Sequence, residues 1–88
     1  MQTRDLVVAN PNGLHMRVAA RIVEIVRRHG AKVKFFGQND QKADGNSIIE
    51  LLTLGAEHGS QVRLEVNGPG EEQTARDLAE FFSDGAGI

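Results

Sequence analysis

Cysteine, tryptophan and tyrosine are all missing from this sequence. Without cysteine there is no disulfide framework, no thiolate nucleophile and no Cys-ligated metal. The absence fits a cytoplasmic protein. With four phenylalanines as the whole aromatic complement, the chain also lacks the stacking platform by which a sheet holds single-stranded RNA. Its formal net charge of −2 gives no general attraction to nucleic acid. No apolar run approaches the ~18 residues of a membrane span, so no insertion is expected. The opening stretch MQTRDLVVAN reads as a strand, not as a signal peptide. No two histidines stand at helix-face spacing and no carboxylates cluster beside them, so neither a metal nor a cofactor is expected.

What is present is ordinary in bulk and uneven in detail. Hydrophobic residues make up 40% and charged residues 25% of the 88 positions, as in a typical globular domain. That length suits one small domain, 1–88, and is short for two. Positive charge gathers early, at Arg17, Arg21, Arg27 and Arg28, and acid gathers late, at Glu71, Glu72, Asp77, Glu80 and Asp84.

Hydrophobic periodicity gives seven elements. Asp5 to Ala9 is β-rich, with Leu6 and Val8 on one side, and Asn10, Pro11, Asn12 and Gly13 form a turn. From Met16 to about His29 the spacing is helical: Val18, Ile22, Ile25 and Val26 share a face with Ala19 and Val23, and Gly30 ends the helix. Lys32 to Phe36 alternates, Gly37 to Asp40 turns, and Gln41 to Asp44 is a short polar strand. Ser47 to Leu54 is a short helix that opens on the capping-box pattern Ser-Ile-Ile-Glu and closes at Gly55. Gln61 to Asn67 alternates again, NGPG turns, and Glu71 to Ser83 is a last helix with Ala75, Leu78, Ala79 and Phe82 as its apolar stripe. Strand, helix, strand, strand, helix, strand, helix predicts an α+β fold. Its economical packing is one antiparallel sheet with all three helices on one face.

The residues with the most chemistry lie in NGLHMRVAAR, positions 12–21. His15 stands at or next to the first helix's N-cap, where Ser, Thr, Asn or Asp would cap better. The amides beneath it lack intrahelical partners and carry partial positive charge, which makes an anion site suited to phosphate. Arg17 adds a planar guanidinium in the first turn, and Arg21 lies one turn on. A neutral imidazole attacks phosphorus well. The phosphate would then rest over the helix end, stabilised there by about 0.3–2 kcal/mol. An arginine hydrogen bond would add roughly 1.5–3 kcal/mol. These are small terms, so such a phosphate is held but not trapped. The bland alternative is a histidine that only decorates a helix start.

NPNGLHMRVAA followed by GNSIIELLTLGA closely resembles the HPr family, the histidine-containing phosphocarriers of the bacterial phosphoenolpyruvate-dependent sugar phosphotransferase system. The resemblance spans nearly the whole chain. It implies an open-faced β-sandwich, four antiparallel strands covered on one face by three helices. It implies that His15 is the phosphorylated histidine, charged by phospho-enzyme I and discharged to a IIA component, and that Arg17 stabilises the phosphate. It further implies that Ser47 is a regulatory site for HPr kinase, and that the protein is a carrier acted on by enzymes, not itself an enzyme. One departure stands out: the family usually has proline after the motif arginine, and here the residue is Val18. Val18 leaves the first turn less rigid and supplies one more backbone donor. A regulatory, nitrogen-related phosphotransferase branch is the alternative to sugar import.

Ser47 is expected to cap its helix whether or not it is modified, since a phosphate is electrostatically welcome at a helix N-terminus. Ile48, Ile49, Leu51, Leu52 and Leu54 are more apolar than so short a helix must bury. Ile48 and Leu52 are expected to stay exposed as a docking patch, alongside Arg21 in a stripe that steers acidic partners. His29 and His58 are expected only to meet a helix dipole or solvent. A monomer is expected.

Overall fold

The computed structural model describes residues 1–38 and 40–84. Asn39, inside the expected Gly37–Asp40 turn, and the last four residues of the expected 1–88 domain lie outside that description. The elements are β1 (Gln2–Val7), α1 (Met16–His29), β2 (Lys32–Phe36), β3 (Lys42–Asp44), α2 (Ile48–Thr53), β4 (Gln61–Asn67) and α3 (Glu71–Ser83). The strands form one antiparallel sheet in the order β1-β4-β2-β3. The expected α+β architecture is the one observed.

Strict alternation explains the layering. Val33 and Phe35 of β2 and Val62, Leu64 and Val66 of β4 are buried, while Lys32, Lys34 and Arg63 project from the open face. There Arg63 Nε donates to Asp5 Oδ1 across the β1–β4 ladder at 3.2 Å. On the covered face α1 contributes Val18, Ala19, Ile22, Val23, Ile25 and Val26. Each fully buried Val or Ile is worth about 1.5–3 kcal/mol, so this stripe anchors the helix whose first turn carries His15. Phe35 stacks on Phe82 of α3 at a ring-centroid distance of 6.0 Å, joining sheet and helix at the core's centre.

Four boundaries or contacts in particular differ from expectation. The first strand begins at Gln2 and its ladder ends at Val7, because its inward positions Gln2 and Arg4 are polar and break the apolar period. Val8 and Ala9 run beyond the ladder, where Val8 exchanges backbone hydrogen bonds with Gly59 and Ser60 at 2.8 and 2.9 Å. The third strand starts at Lys42, one residue later than expected. The capping box is half formed: the Glu50 amide donates to Ser47 Oγ at 3.2 Å, but the Glu50 carboxylate accepts from the Asp44 amide at 3.0 Å instead of reaching back to Ser47. His29 also does more than face a dipole. It is half-buried, with Nε2 3.4 Å from Asp77 Oδ2 on α3.

Candidate functional site

The site begins in the turn that leaves the first strand. The Asn12 amide donates to Asn10 Oδ1 at 2.8 Å, and the Gly13 amide donates to the Asn10 carbonyl at 2.9 Å. Gly13 then takes φ +70, a left-handed conformation that glycine adopts without penalty. It also approaches the chain after α2 so closely that a β-carbon would lie 2.6 Å from the Ala56 carbonyl oxygen. That same oxygen accepts the Leu14 amide at 2.9 Å, and Leu14 is buried. The loop preceding His15 is therefore tied to the exit of α2.

His15 follows in extended conformation, φ −102 and ψ 179, as the N-cap residue of α1. Its carbonyl accepts the Ala19 amide at 2.9 Å, the first bond of the helix. Its ring makes no capping hydrogen bond. The amides of Met16, Arg17 and Val18 thus precede the helical ladder with no side-chain oxygen among the described residues to satisfy them. No acidic residue lies in this first turn. The positive end of the dipole is therefore available to an external anion. The imidazole is half-buried, neither packed away nor freely solvated.

Arg17 is exposed in the same turn, and among the described residues its guanidinium makes no hydrogen bond or ion pair. Arg21 is exposed one turn on, with Nη1 3.7 Å from Glu24 Oε2, a distance typical of a loose surface pair. Val18, in the place where the family usually has proline, is buried against the core. Ser47 is half-buried at the N-cap of α2.

The expected exposure of Ile48 and Leu52 is wrong. Both are half-buried and pack against the core, being one turn apart on the face that α2 turns inward with Leu51. Among the described residues, Met1, Val7, Met16 and Ile49 are the large apolar side chains left in solvent, and of these Ile49, 76% exposed, and Met16, 66% exposed, belong to α2 and the first turn of α1. The helical angle between positions 48 and 49 was the signal available: only one of the two can share the Leu52 face. Beside the turn, Asn12, Leu14, Ala56, Glu57 and His58 line an open groove. Nothing in the sequence pattern indicates that groove, since its walls come from two loops more than forty residues apart.

Comparison with known proteins agrees with this geometry. A family model described as the PTS HPr component phosphorylation site matches residues 2–84. The chain is 34% identical to the phosphocarrier protein HPr of Cupriavidus necator, over 97% of this chain and 99% of that one. It is 31% identical to the phosphocarrier protein NPr of Escherichia coli K12, over 89% of this chain and 87% of the other. Its fold superimposes on an HPr crystal structure from Thermoanaerobacter tengcongensis with a TM-score of 0.91 at 25% identity, covering 100% of this chain and 98% of that one.

Proposed function

The chain belongs to the HPr family of phosphocarriers, and from that premise we propose that His15 is its phosphoryl-accepting residue. An imidazole nitrogen of His15 attacks the phosphorus of phospho-enzyme I. A new P–N bond forms as the donor's P–N bond breaks; the phosphorylated His15 ring gives up the proton on its other nitrogen and the departing donor ring takes one up, so the donor histidine leaves as neutral imidazole. The reverse sense of the same exchange delivers the phosphoryl group to a histidine of a IIA component. The carrier gains nothing and loses nothing over the full relay, so it acts as the substrate of its partners.

The observation that carries this reading is the uncapped start of α1 beneath His15. Fixed amide dipoles there need no reorganisation when a dianion arrives. Arg17, in the same turn and without a partner among the described residues, supplies a charge-assisted donor at little cost in lost contacts. The family likeness supports the chemical class, and the geometry supports the residue.

The relatives divide between HPr and NPr at similar identity, which favours keeping two branches in view. The first is sugar uptake through sugar-specific IIA components. The second is the nitrogen-related branch. Docking to either would use the exposed Met16 and Ile49, flanked by Arg21 and the half-buried Ile48 and Leu52. Ser47 is the candidate for regulatory phosphorylation by an HPr kinase; the added charge would sit at the helix start next to this surface and repel acidic partners. The setting for such a relay is the cytoplasm, with the protein acting as a monomer.

The test is a relay assay. The protein is incubated with enzyme I, Mg²⁺ and labelled phosphoenolpyruvate, then mixed with a sugar-specific IIA protein or a nitrogen-branch IIA protein. Acid-labile label should pass through the carrier to one IIA in clear preference to the other. A carrier that takes no label from enzyme I would defeat the proposal.

A further inference from the structure

Two polar side chains are buried among the described residues, Asn10 and Thr74. Thr74 lies near the start of α3 and, among the described residues, its hydroxyl has no partner. Asn10 is different. It is 3% exposed, and its Oδ1 accepts the Asn12 amide at 2.8 Å. A buried amide is costly unless it is bonded, so this one is committed to shaping the backbone around it.

The shape it makes leads directly to His15. Oδ1 of Asn10 holds the Asn12 amide, the Asn10 carbonyl holds the Gly13 amide at 2.9 Å, and the Gly13 carbonyl holds the His15 amide at 3.1 Å. Three short-range bonds thus shape this turn: the Asn10 side chain holds Asn12, and two backbone bonds lead on from Asn10 to Gly13 and from Gly13 to the N-cap residue. A turn built this way, with the side chain imitating a backbone carbonyl, is characteristic of Asn and Asp and is only weakly reproduced by Ser. The far side of the turn is held by Leu14 on the Ala56 carbonyl. His15 therefore enters α1 at an angle set from both flanks.

We infer that Asn10 is a positioning residue for phosphoryl transfer, acting through the turn to hold the His15 imidazole over the amides of Met16, Arg17 and Val18. The inference rests on the reading of His15 as the phosphate acceptor. Asn10 touches neither phosphate nor partner. Its effect is to reduce the freedom of the N-cap residue, so that the incoming phosphorus and the amide donors are in register at the moment of transfer.

The experiment compares the full-length protein with Asn10→Ala and Asn10→Ser as substrates of enzyme I, phosphoenolpyruvate and Mg²⁺. Circular dichroism verifies the fold of each. Transfer to Asn10→Ala should fall roughly 10- to 100-fold, as expected when a reacting group is displaced on the ångström scale. Asn10→Ser, which retains a shorter acceptor, should lie between the two. In ¹⁵N–¹H correlation spectra, phosphorylation should displace the Met16, Arg17 and Val18 amides strongly in the wild type, partly in Asn10→Ser and least in Asn10→Ala. If Asn10→Ala does not fold, Asn10→Ser against wild type carries the same comparison. A variant that transfers at the wild-type rate overturns the inference. So does a slower variant whose phosphorylated form shows the full wild-type amide displacements, because the loss then has nothing to do with position. A wild type that accepts no phosphate overturns the His15 reading and this inference together, an outcome distinct from parity among the variants.

Discussion

Gly13 lies against the backbone of Ala56: a β-carbon at position 13 would meet the Ala56 oxygen at 2.6 Å and the Glu57 α-carbon at 3.1 Å. Both obstacles are main chain and cannot rotate away. Gly13→Ala should therefore destabilise by more than the roughly 1–2 kcal/mol that a left-handed conformation alone costs an L-residue. Gly55 is the internal control. It has φ +60 with open space around the missing side chain, so Gly55→Ala should show the conformational penalty and little else. Urea denaturation of both variants checks the ordering; equal losses would mean that the loops separate easily.

Arg17 is exposed in the first turn of α1 and has no partner among the described residues. Surface changes of that kind usually leave stability within about 0.5 kcal/mol, so Arg17→Ala should unfold at the wild-type midpoint. Its loss should instead appear in phosphate acceptance. A charged hydrogen bond worth roughly 1.5–3 kcal/mol corresponds to a fall of about 10- to 100-fold in the transfer rate. Stopped-flow transfer from phospho-enzyme I measures it, and an unchanged rate would remove Arg17 from the site.

At Ser47 the expected effect is on folding. Its hydroxyl accepts the Glu50 amide at the start of α2, and deleting a cap of this type costs about 0.5–2 kcal/mol. Ser47→Ala should lose stability in that range, while Ser47→Asp, which also accepts at an N-cap, should lose much less. Chemical denaturation separates the two.

Glu71 gives a pH dependence. The Met1 ammonium, 2.8 Å from Oε2, and the Gly68 amide, which donates to Oε1, hold its carboxyl below the usual value. A lowered folded-state pKa means that the folded chain binds the proton more weakly than the unfolded chain does. The stabilisation is therefore complete above the ordinary carboxylate range and disappears as pH falls through the folded-state pKa. Glu71→Gln should be less stable than wild type near neutrality, and the gap should close in acid. Thermal melts across that range would expose the opposite trend if the pairing were absent in solution.

Much of this architecture was legible because burial leaves a period in the sequence. The six core residues of α1 and the alternating β2 and β4 announce their own faces, and Gly30 in left-handed conformation marks a helix end. The placement of His15 at the N-cap and Arg17 in the first turn, which makes them the candidate site, was legible as well, since a titratable ring where a cap belongs is chemically conspicuous. What escaped was set by tertiary contact. Gln2 and Arg4 are polar on an inward side, so the first strand looked shorter at its start than it is. The α2 face was misjudged by one position: Ile49, not Ile48, stands in solvent. Asn10 is buried although it sits in a run of turn residues, and no local pattern in the sequence marks it.

The central claim is that phosphate travels on the imidazole of His15, over the open end of α1. Site mapping of the phosphoprotein under alkaline conditions, after charging with enzyme I and phosphoenolpyruvate, tests it most directly. The account predicts one phosphate per chain, carried by His15, and none on a His15→Ala variant that keeps the wild-type circular dichroism. Phosphate recovered on His29 or His58, or retained by the His15→Ala protein, would contradict it.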